Sequence, residues 1–206
     1  MQTYPVREQV HEMSKLFFRY GAMNSGKTTA LLQVAHNYEE RGQKVIIVKS
    51  AVDTKGNEQV VSRLGVSRDA DIVLNPEQDL RSLLHERCPD NSDGSHSIDC
   101  ILIDEAQFLT PDQVDQALQI AVMDLIPVLA YGIRTDFQTL SFPGSKRLME
   151  VAHALEEMKT ICRCGRKAIF NARLKDGAVI REGSQVMIDG SEAQYEARCA
   201  RCYLEG

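Results

Sequence analysis

Residues 19–32 read RYGAMNSGKTTALL and contain the first side chains whose spacing suggests chemistry. Gly21 and Gly26 stand five residues apart, and Lys27 and Thr28 follow the second glycine. This is the G-x-x-x-x-G-K-[ST] pattern of a phosphate-binding loop. Glycines keep side chains away from the loop, so its backbone N–H groups can surround phosphate oxygens while the lysine reaches the β- and γ-phosphates. The pattern predicts a nucleoside triphosphate site with the Thr28 hydroxyl as a Mg²⁺ ligand.

A second candidate group lies in IDCILIDEAQF, residues 98–108. An apolar strand that ends in an acidic residue is the Walker B arrangement, in which Asp104 helps to hold Mg²⁺. Glu105 follows directly and, at the carboxyl edge of a parallel sheet, would face the crevice where α/β proteins bind ligands. Such a carboxylate is a candidate general base for an attacking water or for a substrate hydroxyl. The local sequence leaves both acceptors open, and it also allows a solvated turn carboxylate.

Four of the six cysteines form a third group near the C-terminus. Cys162 and Cys164 make a C-x-C pair, and Cys199 and Cys202 make a C-x-x-C pair. Four thiolates suit a closed, tetrahedral Zn²⁺ site of the structural type, and a redox dithiol is the alternative. The long, glycine-containing segment 173–198 between the pairs predicts a lid whose ends a metal would hold together.

The composition is that of a globular protein of 206 residues, of which 43% are hydrophobic and 26% charged. The formal net charge of −5 gives no general electrostatic reason to bind nucleic acid. No apolar run approaches the roughly 18 residues that span a bilayer, and the N-terminus lacks the apolar region of a secretory signal. We therefore expect a cytoplasmic protein without disulfides, membrane contacts or nucleic-acid partners. Cys88 and Cys100 stand apart and are expected to be free structural thiols.

Hydrophobic periodicity predicts the elements that position these groups. The predicted strands are Lys15–Tyr20, Lys44–Val48, Asp71–Leu74, Ile98–Ile103 and Ile126–Tyr131. The predicted helices are Thr28–Arg41 with Gly42 as its stop, Pro76–Arg87 capped by Asn75, a helix begun by Thr110 and Pro111, and Gly144–Met158. Strands that alternate with helices over residues 15–158 predict an α/β fold of the P-loop (RecA-like) type, with a mainly parallel sheet flanked by helices.

The sequence divides into three parts. Residues 1–14 form a poorly specified N-terminal extension, and residues 15–159 form the nucleotide-binding domain. From residue 160 to residue 206 the sequence changes to short strand-like pieces, glycine-containing turns and the cysteine pairs, which predicts a small zinc-binding domain.

Together these segments resemble the thymidine kinase family, in the zinc-containing type (type II) found in bacteria and in animal cytosol. The resemblance runs from about Lys15 to the C-terminus. It rests on GAMNSGKTTALL, ILIDEAQF, YGIRTDF (131–137), FPGS (142–145), ICRCGRKA (161–168) and IDGSEAQYEARCARCY (188–203). This combination is far more specific than either nucleotide-binding motif alone.

The resemblance implies transfer of the ATP γ-phosphoryl group to the 5′-hydroxyl of thymidine and deoxyuridine, in nucleotide salvage for DNA synthesis, with Glu105 as the base. It implies a kinase domain at 15–159 and, at 160–206, a zinc-binding domain with a lasso-like substrate lid. The ATP-binding residues predicted on this basis are Gly21, Ala22, Met23, Asn24, Ser25, Gly26, Lys27, Thr28, Asp104, Glu105, Ala106 and Gln107. The implied nucleoside contacts are Met23, Phe108, Ile133, Phe137 and Tyr195. ATP with Mg²⁺, one structural Zn²⁺ per chain, a homotetramer and feedback inhibition by dTTP are also implied.

One segment departs from the family pattern. Residues 53–55 read Asp-Thr-Lys where relatives commonly have an aspartate and an arginine near the phosphates. Lys55 keeps the positive charge but lacks the bidentate fork of arginine, which leaves its role in stabilising the transition state open. The segment Gly183–Tyr195 has few charged groups that could bind a base, so we predict that its main-chain N–H and C=O groups read the thymine edge.

Two other functional classes share single motifs with this chain. A P-loop motor or helicase-like ATPase is suggested by DEAQ, which resembles a DExx box, although such proteins usually carry a basic track for nucleic acid. A zinc-ribbon nucleic-acid adaptor is suggested by the cysteine pairs, but it would not need the two nucleotide-binding motifs. Release of ADP that depends on thymidine, on nucleic acid or on neither distinguishes the three classes.

Overall fold

A computed structural model of the chain describes residues 14–52, 59–89, 91, 97–185 and 194–206. Lys55 and most of the N-terminal extension lie outside these residues. Residues 186–193, in the middle of the predicted lid, also lie outside them.

The described residues form the following elements. The strands are β1 (Leu16–Tyr20), β2 (Val45–Ser50), β3 (Gln59–Val61), β4 (Ser67–Asp69), β5 (Ile72–Leu74), β6 (Cys100–Asp104), β7 (Val128–Gly132), β8 (Ala154–Glu157), β9 (Thr160–Ile161), β10 (Lys167–Ala168), β11 (Phe170–Lys175), β12 (Ala178–Ile180) and β13 (Gln194–Arg198). The helices are α1 (Lys27–Glu39), α2 (Leu80–Arg87), α3 (Pro111–Met123), α4 (Pro143–Val151) and α5 (Ala200–Glu205), and a 3₁₀ turn spans Ala106–Phe108. Among these residues, no helix combines the length and the apolar character needed to cross a membrane.

The main sheet has six strands in the order β5-β2-β6-β7-β1-β8, and each neighbouring pair is parallel. Parallel strands place their carboxyl ends at one edge, where ligands bind in open α/β sheets. β1 ends there before the phosphate-binding loop, and β6 ends there at Asp104. The predicted fold class is therefore confirmed, and the two nucleotide-binding motifs lie at the same edge, separated by β7.

Helices cover both faces of this sheet, which explains why its central strands are continuous apolar runs. Along β6, Ile101 and Ile103 pack with α2, α3 and α4 on one face, and Leu102 packs with α1 on the other. β7 alternates in the same way. Burial on both faces fixes the strand register, because a shift by one residue would exchange the two sets of side chains.

Most predicted element boundaries agree with the structure to within a few residues. α1 ends at Glu39, and the chain leaves it through Gly42, which has a positive φ of 74°. Thr110 caps α3 as predicted, and with Gln113 it forms a capping box ahead of a proline in the first turn.

The helix predicted at Pro76–Arg87 begins later than expected, and the predicted cap at Asn75 is wrong. α2 begins after Asp79, whose side chain accepts a hydrogen bond from a backbone N–H in the first helical turn. Ahead of it, the Nε2 group of Gln113 donates to the backbone carbonyls of Asn75 and Gln78 at 2.8 and 3.0 Å. Because these two carbonyls accept hydrogen bonds from a side chain of α3, residues 76 and 77 form a turn ahead of α2 and do not belong to the helix.

The helix predicted at Gly144–Met158 is wrong in its second half. α4 ends at Val151, and the chain then forms β8, which pairs in parallel with β1 at the edge of the sheet. The backbone N–H of His153 donates to the carbonyl of Leu16 at 2.9 Å. Pairing with the edge of β1 satisfies backbone groups that would otherwise stay unpaired, and this tertiary contact overrides the helical propensity of the segment.

The C-terminal part contains short antiparallel strands. β9 pairs with β10, and β12, β11 and β13 form a three-stranded sheet in that order. α5 follows β13 directly, so the second cysteine pair lies at the junction of a strand and a helix.

Candidate active site

The phosphate-binding loop joins β1 to α1 as predicted. Gly26 precedes α1 with φ of 77°, a conformation that glycine adopts without strain. The first N–H groups of a helix have no partner within it, and with the helix dipole they form an anion-binding site. The Nζ group of Lys27 donates to the carbonyls of Gly21 and Ala22 at 3.2 and 3.0 Å. Burial lowers the pKa of Lys27, although the two nearby carboxylates oppose that shift.

The other predicted site residues of this loop differ in backbone conformation and in hydrogen-bond partners. Asn24 has a positive φ of 65°, and the Ser25 Oγ lies 3.4 Å from the Lys27 Nζ. The backbone N–H of Met23 points away from the loop and donates to Asn171 Oδ1 at 2.7 Å. The loop is therefore tied to β11 in the C-terminal part.

Thr28 and Asp104, the predicted Mg²⁺ ligands, come together across the sheet edge. The Thr28 Oγ1 lies 3.3 Å from Asp104 Oδ2 and 3.5 Å from Oδ1. This spacing fits neighbouring ligands of Mg²⁺, since oxygens at about 2.1 Å from an octahedral ion lie about 3 Å apart. Burial raises the pKa of Asp104 to about 7, and the charge of Glu105 contributes to the shift. A divalent cation between these groups favours the ionised carboxylate.

Glu105 has an unusual backbone and a fixed side chain. Its φ of 49° lies in the left-handed region, which is uncommon for residues other than glycine and often marks functional sites. Its N–H donates to Asp104 Oδ1 at 3.0 Å, and its Oε2 accepts a hydrogen bond from Gln107 Nε2. The carboxylate is half-buried next to the phosphate-binding loop, which is where a base for an acceptor group must lie.

The 3₁₀ turn after Glu105 contains three predicted site residues. Ala106 and Gln107 are buried, and the ring of half-buried Phe108 packs edge-on against Phe142 with centroids 5.6 Å apart. The side chain of Gln107 makes its hydrogen bonds to Glu105 and to the backbone N–H of Ile133, the latter at 3.1 Å. The predicted contacts of Ala106 and Gln107 with ATP remain predictions.

Residues 133–137, which we call the acceptor segment, follow β7 and contain two predicted nucleoside contacts. The backbone of Ile133 is fixed on both sides, because its carbonyl also accepts from Ser145 Oγ at 2.6 Å. The carbonyl of Thr135 accepts from Asn171 Nδ2 at 3.1 Å. Since Asn171 also binds the N–H of Met23, one buried amide joins the phosphate-binding loop to the acceptor segment.

Phe137 lies at the other end of the acceptor segment and is only 1% exposed. The guanidinium of Arg173 lies 3.6 Å from the centre of its ring, and the carbonyl of Phe137 accepts from Tyr203 Oη at 2.6 Å. Arg173 also donates from Nε to Tyr195 Oη at 2.8 Å and from Nη2 to the carbonyl of Ser184 at 2.9 Å. The structure thus brings Phe137 and Tyr195 together through an arginine that lies between them.

The four C-terminal cysteines come together as predicted. Their Sγ atoms lie within 4.8 Å of one another, and those of Cys164 and Cys199 are 3.6 Å apart. Thiolates bound to Zn²⁺ at about 2.3 Å in a tetrahedron are about 3.8 Å apart, so the cluster fits such an ion. Although burial opposes the shift, backbone N–H groups of Cys164 and Cys199 help to lower the pKa of Cys162 to about 6. The cluster can therefore hold a metal ion.

The cysteine cluster packs directly against the phosphate-binding loop. Ala22 belongs to the same buried apolar cluster as Cys162 and Cys199. Cys88 and Cys100 are free, as predicted. Burial raises the pKa of Cys100 to about 12, which keeps that thiol neutral.

Two residues of the site were missed in the sequence, namely Asn171 and Arg173. Both are 3% exposed, and both lie in β11. Residues two apart in a strand point to the same side. The sequence signal that could have identified them is therefore a pair of polar side chains on one face of a short strand that follows a cysteine pair.

The sequence comparisons with known proteins agree on one family. A family model described as thymidine kinase matches residues 14–203. The thymidine kinase of Rhizobium meliloti is 49% identical over 191 residues, which cover 92% of this chain and 95% of that protein. The thymidine kinase of Idiomarina loihiensis is 46% identical over 195 residues, covering 94% of this chain and 97% of that protein. Among solved structures, the Pif1 helicase from Candida albicans gives a TM-score of 0.42 at 16% identity over 74% of this chain and 37% of that chain, which is too low to support an argument.

Proposed function

This chain belongs to the thymidine kinase family, and we propose that Glu105 is the general base of its reaction. The protein phosphorylates thymidine with ATP as the donor, in nucleotide salvage. A nucleoside hydroxyl, rather than water, therefore accepts the phosphoryl group, and the proton of that hydroxyl needs an acceptor. The observation that supports Glu105 is its fixed, half-buried carboxylate directly after Asp104 at the carboxyl edge of the sheet.

The donor side consists of the phosphate-binding loop and its metal ligands. Backbone N–H groups of the loop and the first turn of α1 bind phosphate oxygens, and Lys27 turns from the loop carbonyls to the β- and γ-phosphates. Thr28 and Asp104 hold Mg²⁺, which when bound neutralises charge on those phosphates. In a loose phosphoryl-transfer transition state, positioning and charge stabilisation provide most of the catalysis.

Glu105 acts on the acceptor side. Its Oε2 accepts a hydrogen bond from the amide of Gln107, and we propose that its second carboxylate oxygen accepts the proton of the 5′-hydroxyl. In a loose transition state the proton is transferred late, so an ionised carboxylate needs only to orient the hydroxyl and then to receive the proton.

The nucleoside pocket lies between the acceptor segment, the phosphate-binding loop and β13. Met23, Phe108 and Ile133 provide its apolar walls, Phe137 forms its floor beneath Arg173, and Tyr195 contacts the sugar and base. Its support is the hydrogen-bond network that joins these segments through Asn171 and Arg173. We propose that the main chain of the segment Gly183–Tyr195 reads the thymine edge, with residues 186–193 outside the described part.

The metal of the cysteine cluster is, we propose, one structural Zn²⁺ per chain. Four sulfur ligands leave no open coordination position, so the ion has no catalytic role. The ion joins the segment before β11 to the end of β13 and so holds together the two ends of the lid.

Several finer properties follow the family pattern and are proposed on that basis. They are a cytoplasmic location, feedback inhibition by dTTP, a homotetramer and the division of the chain at residue 159.

The reaction is tested by measuring ADP and nucleoside monophosphate with thymidine, deoxyuridine, deoxycytidine or no nucleoside. We expect ADP release to require a nucleoside, since a positioned hydroxyl is the acceptor. Deoxyuridine lacks only a methyl group, worth about 1 kcal/mol of burial, and should remain a substrate. Deoxycytidine presents an amino group where thymine has a carbonyl, and the unpaired group costs several kcal/mol at a hydrogen-bonding site.

Two outcomes of this assay would contradict the proposal. Release of ADP at the same rate without any nucleoside would show that water is the acceptor. Equal kcat/KM for deoxycytidine and thymidine would show that the lid does not read the base edge.

A further inference from the structure

We propose that Gln107 is a positioning residue that fixes the carboxylate of Glu105 relative to the acceptor segment. The proposal rests on the role of Glu105 proposed above. Gln107 is 2% exposed, and its amide touches both sides of the acceptor site. Nε2 donates to Glu105 Oε2, and Oε1 accepts from the N–H of Ile133 at 3.1 Å. A single side chain thus connects the base to the backbone of a nucleoside-pocket residue.

The two partners fix the orientation of the Gln107 amide. An ionised carboxylate only accepts hydrogen bonds, and a backbone N–H only donates them. An amide satisfies both partners in one orientation, whereas a flipped amide would place its oxygen against the carboxylate oxygen of Glu105 and its NH₂ against the N–H of Ile133. Neither a carboxylate nor an apolar side chain of the same length can replace both bonds.

Packing on two sides holds the 3₁₀ turn that contains Gln107. A Cβ at Gly132, the last residue of β7, would lie 2.7 Å from Gln107 Oε1 and 3.1 Å from the backbone nitrogen of Gln107. A Cβ at Gly144 in α4 would lie 2.9 Å from the Gln107 carbonyl and 2.7 Å from that of Ala106. Both glycines leave the space that the turn occupies, so the position of Gln107 is set by the fold and not by Glu105 alone.

This fixed amide matters because the carboxylate it holds is on a side chain with three rotatable bonds. The hydrogen bond to Oε2 restricts the rotamers of Glu105, so that its second oxygen can be directed at the substrate hydroxyl. Misplacing a reacting group by about 1 Å can cost about 10²-fold in rate. Gln107 acts through Glu105 and through Ile133, and it needs no contact with the substrate.

Two substitutions distinguish the effects of the two hydrogen bonds of Gln107, because one removes a single bond and the other removes both. Gln107→Glu keeps an acceptor for Ile133 but places a second carboxylate against Glu105, so we expect kcat to fall roughly 10- to 100-fold. The KM for ATP and thymidine should change about threefold or less, because the substrate contacts remain. Gln107→Met loses both bonds, and it should also raise the KM for thymidine, since the backbone of Ile133 is released.

A double-mutant cycle with Glu105→Gln shows whether Gln107 acts through the base. The single-turnover rate of the Glu105→Gln, Gln107→Glu double variant should match that of Glu105→Gln alone, since no base remains to be positioned. Gln113→Glu is the matched control, because Gln113 is another buried glutamine with both ends of its amide bound, and its partners are the backbone groups of Thr110 and Asn75, outside the proposed site. It should lower the unfolding temperature without the fall in kcat.

The possible outcomes separate the two proposals. If Glu105→Gln lowers kcat but Gln107→Glu leaves it within threefold of the wild type, the role of Gln107 is refuted and that of Glu105 stands. Additive losses in the cycle also refute it, since they indicate a general structural effect. If Glu105→Gln turns over at the wild-type rate, both proposals are wrong.

Discussion

Asn171 and Arg173 are two buried polar residues of β11 through which the C-terminal part contacts the phosphate-binding loop and the acceptor segment. Asn171 binds Met23 and Thr135 through opposite ends of one amide. Arg173 covers the ring of Phe137 and donates to Tyr195 and to the backbone of the lid at Ser184. Each is buried and hydrogen-bonded to two other residues, so removing either leaves those partners without their hydrogen bonds.

Replacing Arg173 should affect thymidine much more than ATP. Arg173→Met removes the donors to Tyr195 Oη and to the carbonyl of Ser184, so the base of the lid loses its fixed position. Hydrogen bonds from a charged donor contribute about 1.5–3 kcal/mol, which predicts a rise of about tenfold or more in the KM for thymidine. The KM for ATP should stay nearly constant. Steady-state kinetics with each substrate varied in turn measure both constants.

Arg81→Met is a suitable control for that experiment. Arg81 in α2 also donates from two guanidinium nitrogens, in this case to the carboxylate of Asp124 after α3, and neither residue belongs to the lid or the acceptor segment. Its loss should leave the KM for thymidine unchanged. Equal effects of the two substitutions, or an unchanged KM in Arg173→Met, would mean that Arg173 does not organise the pocket.

Residues within the two nucleotide-binding motifs could be predicted from the sequence, because their function requires fixed spacing along the chain. Lys27, Thr28 and Asp104 belong to this group, and the structure brings them together. Asn171 and Arg173 have no such spacing, since their partners lie in segments distant in the sequence. Their positions depend on how β11 packs, for which the sequence offers only the weak signal of two polar side chains on one face of a short strand.

At the scale of elements, the cysteine cluster lies beside β11 and β13, which also pair directly with each other. Cys162 and Cys164 precede β11, and Cys199 follows β13 at the start of α5. Tyr195 lies on β13 opposite Arg173 on β11. A metal at the cluster would therefore hold together the two strands that carry Arg173 and Tyr195, which we propose to line the nucleoside pocket.

Cys199→Ser should release the metal and damage nucleoside binding more than ATP binding. Loss of one thiolate opens a closed tetrahedral site, and folding of such sites depends on the metal. We expect less than one zinc per chain by elemental analysis, a lower unfolding temperature and a higher KM for thymidine. Cys88→Ser, which lies outside the cluster, should retain full zinc. Absence of zinc from wild-type protein purified without chelators would contradict this assignment.

The elements that differ from prediction do so because of contacts made by distant parts of the chain. The segment 154–157 forms β8 because the edge of β1 accepts another strand. The start of α2 is delayed because Gln113 binds the carbonyls ahead of it. The central strands were predictable, since burial on both faces makes each a continuous apolar run.

In the whole molecule, the donor site and the acceptor site are supported by one set of contacts at the carboxyl edge of the sheet. The cysteine cluster packs on Ala22, and Asn171 ties the phosphate-binding loop to the acceptor segment. Gln107 ties the acceptor segment to Glu105. The contacts that link the phosphate-binding loop, the acceptor segment and Glu105 thus include residues on both sides of position 159. The domain boundary near that residue remains a prediction.

The most direct test of the role of Glu105 is the kcat of Glu105→Gln at saturating thymidine and ATP, measured beside the dissociation constant for ATP. Glutamine keeps the size of the side chain and an acceptor for Gln107 but is far less basic. We expect kcat to fall by roughly 10²–10⁴, the usual contribution of a general base. ATP affinity should be nearly unchanged, because Lys27 and the loop N–H groups hold the phosphates. Turnover near the wild-type rate would contradict the assignment of Glu105 as the base.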